Sequence, residues 1–335
     1  MKLLTVTVPC YNSQDYMEKC IDSLLAGGER VEIIIINDGS KDDTGKIADA
    51  YAEKYPSIVK VIHQENGGHG EGINQGLLHA TGTYFKVVDS DDKMSEDFVD
   101  FLDALEMCEA NGGVDLFNTN YFYTHEDGVG DRSINYSSVL PADKIVGWDE
   151  TKPFRIHQMI TLHSSTFRTE LMRRWPISLP KHTFYEDNLM VHLTLPHIQR
   201  IYYKDCDLYR YTIGREGQSV AQDAMKKRYS HQILVTEQCF TSCHLDEIGN
   251  KRQQRYMRHE LFMMFAISIL FTRLNKSKET DAAIDQMWQT CMAFDPKWAK
   301  RYRNGVLWFL CMPGRFGQNF SCFIYKFANK VVRFN

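Results

Sequence analysis

No stretch of this sequence is long and apolar enough to suggest a membrane span. The longest nearly unbroken apolar run, Leu261 to Phe271, is about half of the ~20 residues a spanning helix needs. Neither charge dominates: 39 Lys and Arg stand against 43 Asp and Glu, a formal net charge of −4. Nucleic acid is therefore not expected as a partner, because domains that bind it are usually strongly basic. The opening residues Met1-Lys2-Leu3-Leu4-Thr5-Val6-Thr7-Val8-Pro9 run straight into a strand pattern, with too short an apolar core and no small-residue cleavage site for a signal peptide. Secretion is not expected. The nine cysteines are odd in number and scattered, and the close pair Cys239 and Cys243 has no matching Cys/His pair at zinc spacing. Reduced thiols buried in a cytosolic protein are the expectation. Repeats, low-complexity tracts and Pro/Gly/Ser linkers are absent as well, so no domain boundary is sharp. What remains is ordinary globular material: 335 residues, 43% hydrophobic and 24% charged, enough for two or three units with a substantial core.

The first part alternates strand and helix patterns. Leu3 to Val8, Val31 to Ile36, Ile58 to His63, Tyr84 to Val88 and Val114 to Phe122 read as strands. Between them, helices are predicted from Ser13-Gln14-Asp15-Tyr16 to Leu25, from Asp43 to Tyr55, over 70–80, and from a Ser95 cap to about Glu109. Such alternation implies right-handed crossovers and a mostly parallel, doubly wound α/β sheet. Ligands of these sheets bind outside the carboxyl ends of the strands. Three loops fall there: Pro9-Cys10-Tyr11-Asn12, Asn37-Asp38-Gly39, and Asp89-Ser90-Asp91-Asp92. Beyond residue 125 the pattern loosens. A helix is expected over Leu189 to Leu195, one or two strands over Tyr202 to Tyr211, and mainly helices from Ala224 onward.

The acidic turn carries the strongest chemical signal. Three carboxylates within four positions raise one another's pKa unless a cation or a hydrogen-bonding ligand sits among them, and a divalent metal is the simplest remedy. An EF-hand loop fits poorly, since its sixth and twelfth positions would be Met94 and Asp100. An aspartyl phosphatase would place its Asp-x-Asp after the first strand, whereas this one follows the fourth. Asp38, in Asn37-Asp38-Gly39-Ser40, also suits turn and N-cap chemistry. Its place after a buried strand and beside the Tyr11 loop suggests a carboxylate and an aromatic ring converging on a nucleobase. The Gly-rich run Asn66-Gly67-Gly68-His69-Gly70-Glu71-Gly72 is neither a Walker A loop nor a dinucleotide fingerprint. Its glycines would let backbone approach a ligand closely, and His69 reads as a solvated loop histidine. The pair Glu186-Asp187 also suits the first turn of the helix that follows it.

Taken together, Val6-Thr7-Val8-Pro9-Cys10-Tyr11-Asn12, Asn37-Asp38-Gly39-Ser40 with Asp43-Thr44, Asn66-Gly67-Gly68 with Asn74 and Gly76, Ala80-Thr81-Gly82, Asp89-Ser90-Asp91-Asp92 and Glu186-Asp187 resemble family 2 glycosyltransferases of the GT-A fold. The resemblance covers roughly residues 3–220, and the ordered set is more specific than any one motif. It implies metal-dependent, inverting transfer of a sugar from a nucleotide donor, most often a UDP-sugar, to a glycan or lipid-linked acceptor. Carried over residue by residue, Pro9, Tyr11 and Asp38 would hold the base, and Asp89 the ribose or donor sugar. Asn12, Asn66, Gly68, Asn74 and Ser90 would line the donor site. Asp91 would bind Mn²⁺ or Mg²⁺, Asp187 would be the general base, and Glu186 would orient the acceptor. Arg215, Gln218 and Ser219 would close over the diphosphate. Relatives often carry Ala-Arg-Asn where this chain has Gly72-Ile73-Asn74, so weight for the diphosphate shifts to Arg215. A nucleotidyltransferase would want a Gly-rich loop with Arg and a downstream Lys after the first strand, and Pro9-Cys10-Tyr11-Asn12 supplies neither. A binding-only relative should have lost Asp91 or Asp187.

The resulting division is a donor-binding half over 1–124, an acceptor-binding half over 125–222, and a helical region over 223–335. From Pro296 to Asn335 there are eight basic residues and no acidic one, interleaved with aromatics. This segment is either a surface that meets anionic lipid, as would suit a chain working at the inner face of a cell membrane, or a helical cap whose aromatics pack inward.

Overall fold

Strand β1 (Leu4–Cys10) is buried at every position, as expected of a strand covered on both faces in a parallel α/β sheet. In the computed structural model the described residues are 2–125, 130–155, 158–174, 177–213, 222–275, 277–312 and 314–332. The chain divides into two compact units, residues 1–213 and 214–335.

The first unit is built on one mixed sheet. After β1 come β2 (Val31–Asp38), β3 (Val59–Gln64), β4 (Tyr84–Val87), β5 (Lys93–Met94), β6 (Leu116–His125), β7 (Arg132–Ile134), β8 (Ile145–Val146), β9 (Ser165–Arg168) and β10 (Ile201–Ile213). They lie in the order β3-β2-β1-β4-β9-β6-β10-β5, with β7 on β6 and β8 on β10. The long ladders β3-β2-β1-β4 and β6-β10 are parallel, while β9, β5, β7 and β8 pair antiparallel. Helices α1 (Met17–Leu25), α2 (Thr44–Lys54), α3 (His69–His79), α4 (Phe98–Ala110), α5 (Thr169–Arg174) and α6 (Glu186–Thr194) accompany it. α4 starts three residues beyond Ser95, because Lys93 and Met94 first pair with β10 as β5.

Glycine sets how closely α3 lies on β1. A Cβ at Gly76 would fall 2.0 Å from Thr7 Oγ1, and one at Gly72 would fall 3.0 Å from Pro9 Cβ. These two positions are four apart on one helix face. Between them Ile73 is buried, at 2% exposed.

The second unit is helical: α7 (Gln222–Lys227), α8 (Tyr229–Thr241), α9 (Lys251–Arg273), α10 (Lys278–Phe294), α11 (Pro296–Arg303) and α12 (Gly314–Val332). Asn250 caps α9 by accepting from Arg252 N and Gln253 N, and Ser277 caps α10 from Thr280 N, each supplying an acceptor to otherwise unpaired helix-start donors. Phe265 stacks on Trp288 at a ring separation of 4.7 Å in the core of this unit. All nine cysteines are free, and Cys10, Cys20, Cys108, Cys239 and Cys291 are buried. Among the described residues no helix is long and apolar enough to cross a membrane.

Candidate active site

The parallel register brings the carboxyl ends of β2, β1 and β4 side by side, with Cys10 opposite Asn37 and Thr7 opposite Val87. The three loops expected to meet therefore do meet. Asn12 N donates to Ser40 Oγ at 3.0 Å, Lys41 N donates to Asn12 Oδ1 at 2.8 Å, and the hydroxyls of Ser13 and Ser90 share a hydrogen bond of 2.9 Å. Pro9 is the penultimate residue of the buried strand, and the Tyr11 ring stands out half-exposed at 51%.

Asp38 is buried, and its carboxylate grips the glycine loop. Oδ1 accepts from Gln64 Nε2 at 2.6 Å and from Gly67 N at 2.8 Å, while Oδ2 accepts from Gly68 N at 2.8 Å. Asn66 Nδ2 donates to the Asp38 carbonyl at 2.9 Å. The glycines also make room for the protein's own backbone. Gly68, at φ +85°, sits where a Cβ would lie 2.9 Å from His182 N, and His182 N donates to Gly67 O at 2.8 Å. The side chain of Asn74 pairs both ways with the backbone of Leu179, at 2.9 Å each. The Gly-rich run and Asn74 thus seat residues 179–182, which lead into α6. His182 and Tyr185 turn that segment through left-handed backbone at φ 50° and 69°, a conformation that costs a non-glycine residue roughly 1–2 kcal/mol.

His69 is not a solvated loop histidine. It opens α3 with its ring held between two carboxylates: Nε2 lies 2.8 Å from Asp89 Oδ1, and Nδ1 lies 2.7 Å from Glu186 Oε1. Burial disfavours its charge, but Asp89 and Glu186 outweigh that and hold its pKa well above the usual value. Burial would likewise raise Asp89, yet His69 and His163 keep it well below the ordinary carboxylate range. His163 Nε2 lies 3.6 Å from Asp89 Oδ2. Its ring stands edge-on to Tyr209 and Tyr211, at centroid separations of 5.0 and 4.7 Å.

Asp92 anchors the turn from below. The Tyr209 hydroxyl accepts from Asp89 N at 3.2 Å and donates to Asp92 Oδ2 at 2.7 Å, and Thr212 N donates to Asp92 Oδ1 at 2.7 Å. Burial, followed by the charges of Asp89 and Asp91, pushes the Asp92 pKa well up. Beneath lies Lys86, fully buried, donating to the carbonyls of His163 at 2.9 Å and Ser165 at 3.1 Å, with its pKa lowered by burial to about 7. On α6, burial and then Glu186 raise the Asp187 pKa, while His163 and His69 pull it the other way. The acid pair and the acidic turn therefore act on each other through the two histidines.

Asp89, Asp92 and His163 each bring one ligand atom to within 4.8 Å of the others. Two carboxylate oxygens and an imidazole nitrogen suit Mn²⁺, and one or two such carboxylates suit Mg²⁺ completed by phosphate oxygens. The residues thus fit the expected ion, although Asp91 is not a member of this group. Arg215, Gln218 and Ser219 lie outside the described residues. Sequence reading missed His163 and left Asp92 and His69 without roles. Lys86, a lone cation in a buried strand, was the visible sign that something polar lay behind the sheet.

Residues 5–169 match the family described as Glycosyl transferase family 2. This chain carries a family 2 glycosyltransferase domain. The chain is 34% identical to the uncharacterized glycosyltransferase EpsJ of Bacillus subtilis over 166 residues, 49% of this chain and 45% of EpsJ. It is 36% identical to the glycosyltransferase GlyG of Streptococcus pneumoniae over 129 residues, 38% of this chain and 42% of GlyG. The chain thus matches less than half the length of either relative. The whole chain superposes on S. aureus TarS 1-349 with a TM-score of 0.68 at 19% identity, covering 99% of this chain and 91% of that one. A mannosyltransferase from Pyrobaculum calidifontis, solved with GDP-Man and Mn²⁺, gives 0.57 at 14% identity, covering 98% and 86%. These likenesses establish the fold, which is GT-A with a helical C-terminal region.

Proposed function

We propose that this family 2 glycosyltransferase domain moves a sugar from a nucleotide-diphosphate donor, a UDP-sugar, to a hydroxyl of a glycan or lipid-linked acceptor in cell-surface polysaccharide synthesis. One observation carries the reading: His69 joins the acidic turn after β4 to the acid pair that opens α6, so donor-side and acceptor-side carboxylates share one site. S. aureus TarS 1-349 has been solved with UDP-GlcNAc, which supports a donor of this class.

In this reading residues 1–124 bind the donor and 125–222 the acceptor. Tyr11 stacks on the base beside Pro9 and the Asp38-held loop, and Asp89 faces the ribose or donor sugar. Asp187 takes the proton of the acceptor hydroxyl as its oxygen attacks the anomeric carbon. The bond to the diphosphate breaks with the electron pair leaving on the diphosphate, and the anomeric centre inverts. A positioned carboxylate base contributes about 10²- to 10⁴-fold to such a step. Glu186, fixed by His69, orients the acceptor. Asp89, Asp92 and His163 would hold a divalent ion, which when bound neutralises charge on the departing diphosphate. Arg215, Gln218 and Ser219 are assigned to closure over the donor. The test is a screen of UDP-sugars for hydrolysis with and without Mn²⁺; no turnover of any donor in either condition would sink the reading.

The basic C-terminal segment is assigned to an anionic lipid surface. Its large apolar side chains divide: Trp298, Tyr302 and Leu307 are buried, whereas Val306, Trp308, Phe309 and Phe323 are 70%, 51%, 52% and 63% exposed. Exposed aromatics beside Lys and Arg suit a bilayer interface. Full-length chain with Trp308→Ala and Phe309→Ala should sediment less with anionic liposomes than wild type, and equal partitioning would contradict this.

A further inference from the structure

Strands β6, β7 and β10 bring four tyrosines to one face of the sheet. Tyr121 and Tyr123 lie two apart on β6, and the parallel register sets Tyr209 and Tyr211 of β10 directly beside them. Residues two apart on a strand share a face, as do residues opposite one another on neighbouring strands. The alternate positions obey the same rule: Phe122 and Arg210 pair on the other face, the guanidinium carbon 4.6 Å from the ring centroid. On the tyrosine face β7 extends the row, since Arg132 stands opposite Tyr123 with its guanidinium carbon 5.2 Å from that ring's centroid. Tyr123 in turn meets Tyr121 and Tyr211 edge-on, at centroid separations of 5.4 and 5.5 Å. A cation over the ring and two edge-on neighbours fix its orientation.

The inner pair is core: Tyr121 is 6% exposed and Tyr209 1%. The outer pair, Tyr123 and Tyr211, is partly exposed and presents an aromatic surface that adjoins the reacting groups. His163 packs on Tyr209 and Tyr211, at 5.0 and 4.7 Å, and reaches Asp89 Oδ2 at 3.6 Å, while the Tyr209 hydroxyl accepts from Asp89 N. The loops assigned to the nucleotide follow β1 and β2, whereas β6 and β10 stand beyond β4 and β9 in the sheet order. The acidic turn after β4 therefore separates the Tyr11 loop from the tyrosine row, which puts the row on the acceptor side. Fixed aromatic faces with polar tips suit a ligand that is apolar on one side and polar at its rim. A pyranose has that character, with C–H bonds on its face and hydroxyls around its edge.

We propose that Tyr123 and Tyr211 form a subsite for a sugar ring of the acceptor and determine acceptor specificity, so that the acceptor is a carbohydrate rather than a protein side chain or a bare lipid. The proposal deepens the function proposed above and rests on its assignment of the acceptor side. The sugar lies against the aromatic surface, the tyrosine hydroxyls meet its rim, and Arg132 holds Tyr123 in place.

The test reads binding and not turnover. Methyl glycosides of glucose, galactose, mannose and N-acetylglucosamine are each titrated into the full chain in Mg²⁺, with and without saturating UDP, and followed by saturation-transfer NMR of the sugar. At least one should bind saturably, and UDP should not displace it. Tyr123→Leu keeps an apolar side chain but has no aromatic face, so it should weaken that sugar by about three- to tenfold. Tyr123→Phe should stay within about twofold of wild type, and UDP affinity should be the same in all three chains. Should Tyr123→Leu fail to fold, Tyr211→Leu and Tyr211→Phe take the same roles with the same expected order. The proposal is overturned by a wild-type chain that binds none of the four sugars, by displacement of the sugar by UDP, or by equal sugar affinity in Tyr123→Leu and wild type. A side chain that only supports the fold would lower sugar and UDP binding together, and that result overturns it as well. A chain that binds UDP but no sugar leaves the transferase reading standing without this subsite. One that binds sugar in the expected order but takes up no UDP contradicts the transferase reading and leaves the subsite in place.

Discussion

Replacing Asp38 by Asn should loosen the carboxyl edge of the sheet whether or not a ligand is present. The buried carboxylate accepts three hydrogen bonds of 2.6 to 2.8 Å, two of them from the backbone of Gly67 and Gly68. An Asn keeps one acceptor oxygen and turns an NH₂ group toward the other donor. At least one charge-assisted bond is lost, about 1.5–3 kcal/mol, and one backbone N–H loses its partner, about 1–3 kcal/mol. The two overlap, so about 2–4 kcal/mol is the expected cost, with little relief from solvent because Asp38 is only 3% exposed. For a unit of this size that lowers the melting temperature by on the order of 10 °C. Thermal unfolding followed by circular dichroism, with and without UDP, is the assay. UDP affinity should fall too, because the loop that Asp38 holds lies beside the proposed donor site. A variant that melts with wild type yet no longer binds UDP would refute this reasoning and make Asp38 a direct contact to the base.

Two further outcomes follow from the electrostatics of the site. His163→Ala should weaken Mn²⁺ binding by about tenfold or more, and Asp91→Asn should weaken it less; the reverse order in a Mn²⁺ titration would return the ligand role to Asp91. Burial and Glu186 raise the Asp187 pKa, and a general base acts only when ionised, so transfer rate at saturating donor should fall with decreasing pH through a midpoint above the ordinary Asp value of about 3.9. An acid limb at or below that value would count against Asp187 as the base.

The alternation of strands and helices in the first 125 residues was legible because buried parallel strands read as apolar runs and each helix keeps its own period. The three strand-end loops followed from the rule that such sheets bind at their carboxyl edge. Other features depended on distant pairings that local pattern does not carry. Lys93 and Met94 form a strand only because β10 returns beside them. His163 lies in an aperiodic stretch, and only the sheet order brings it to Asp89. Asn74 has a place in a family pattern, and its amide also pairs with the backbone of Leu179, a contact between distant segments that local pattern does not show. The glycine run misled for a related reason: glycine reports close approach, and the approaching backbone is the protein's own. His69 was legible as a histidine in a loop and illegible as a bridge, since its partners come from β4 and α6.

The central claim is that the acid pair on α6 performs the transfer while the turn after β4 serves the donor. The most direct test is Asp187→Asn, read in parallel by UDP binding calorimetry and by transfer from whichever UDP-sugar the donor screen finds active. The account predicts UDP affinity close to wild type and a loss of transfer of about 10²- to 10⁴-fold. Transfer at the wild-type rate would contradict it.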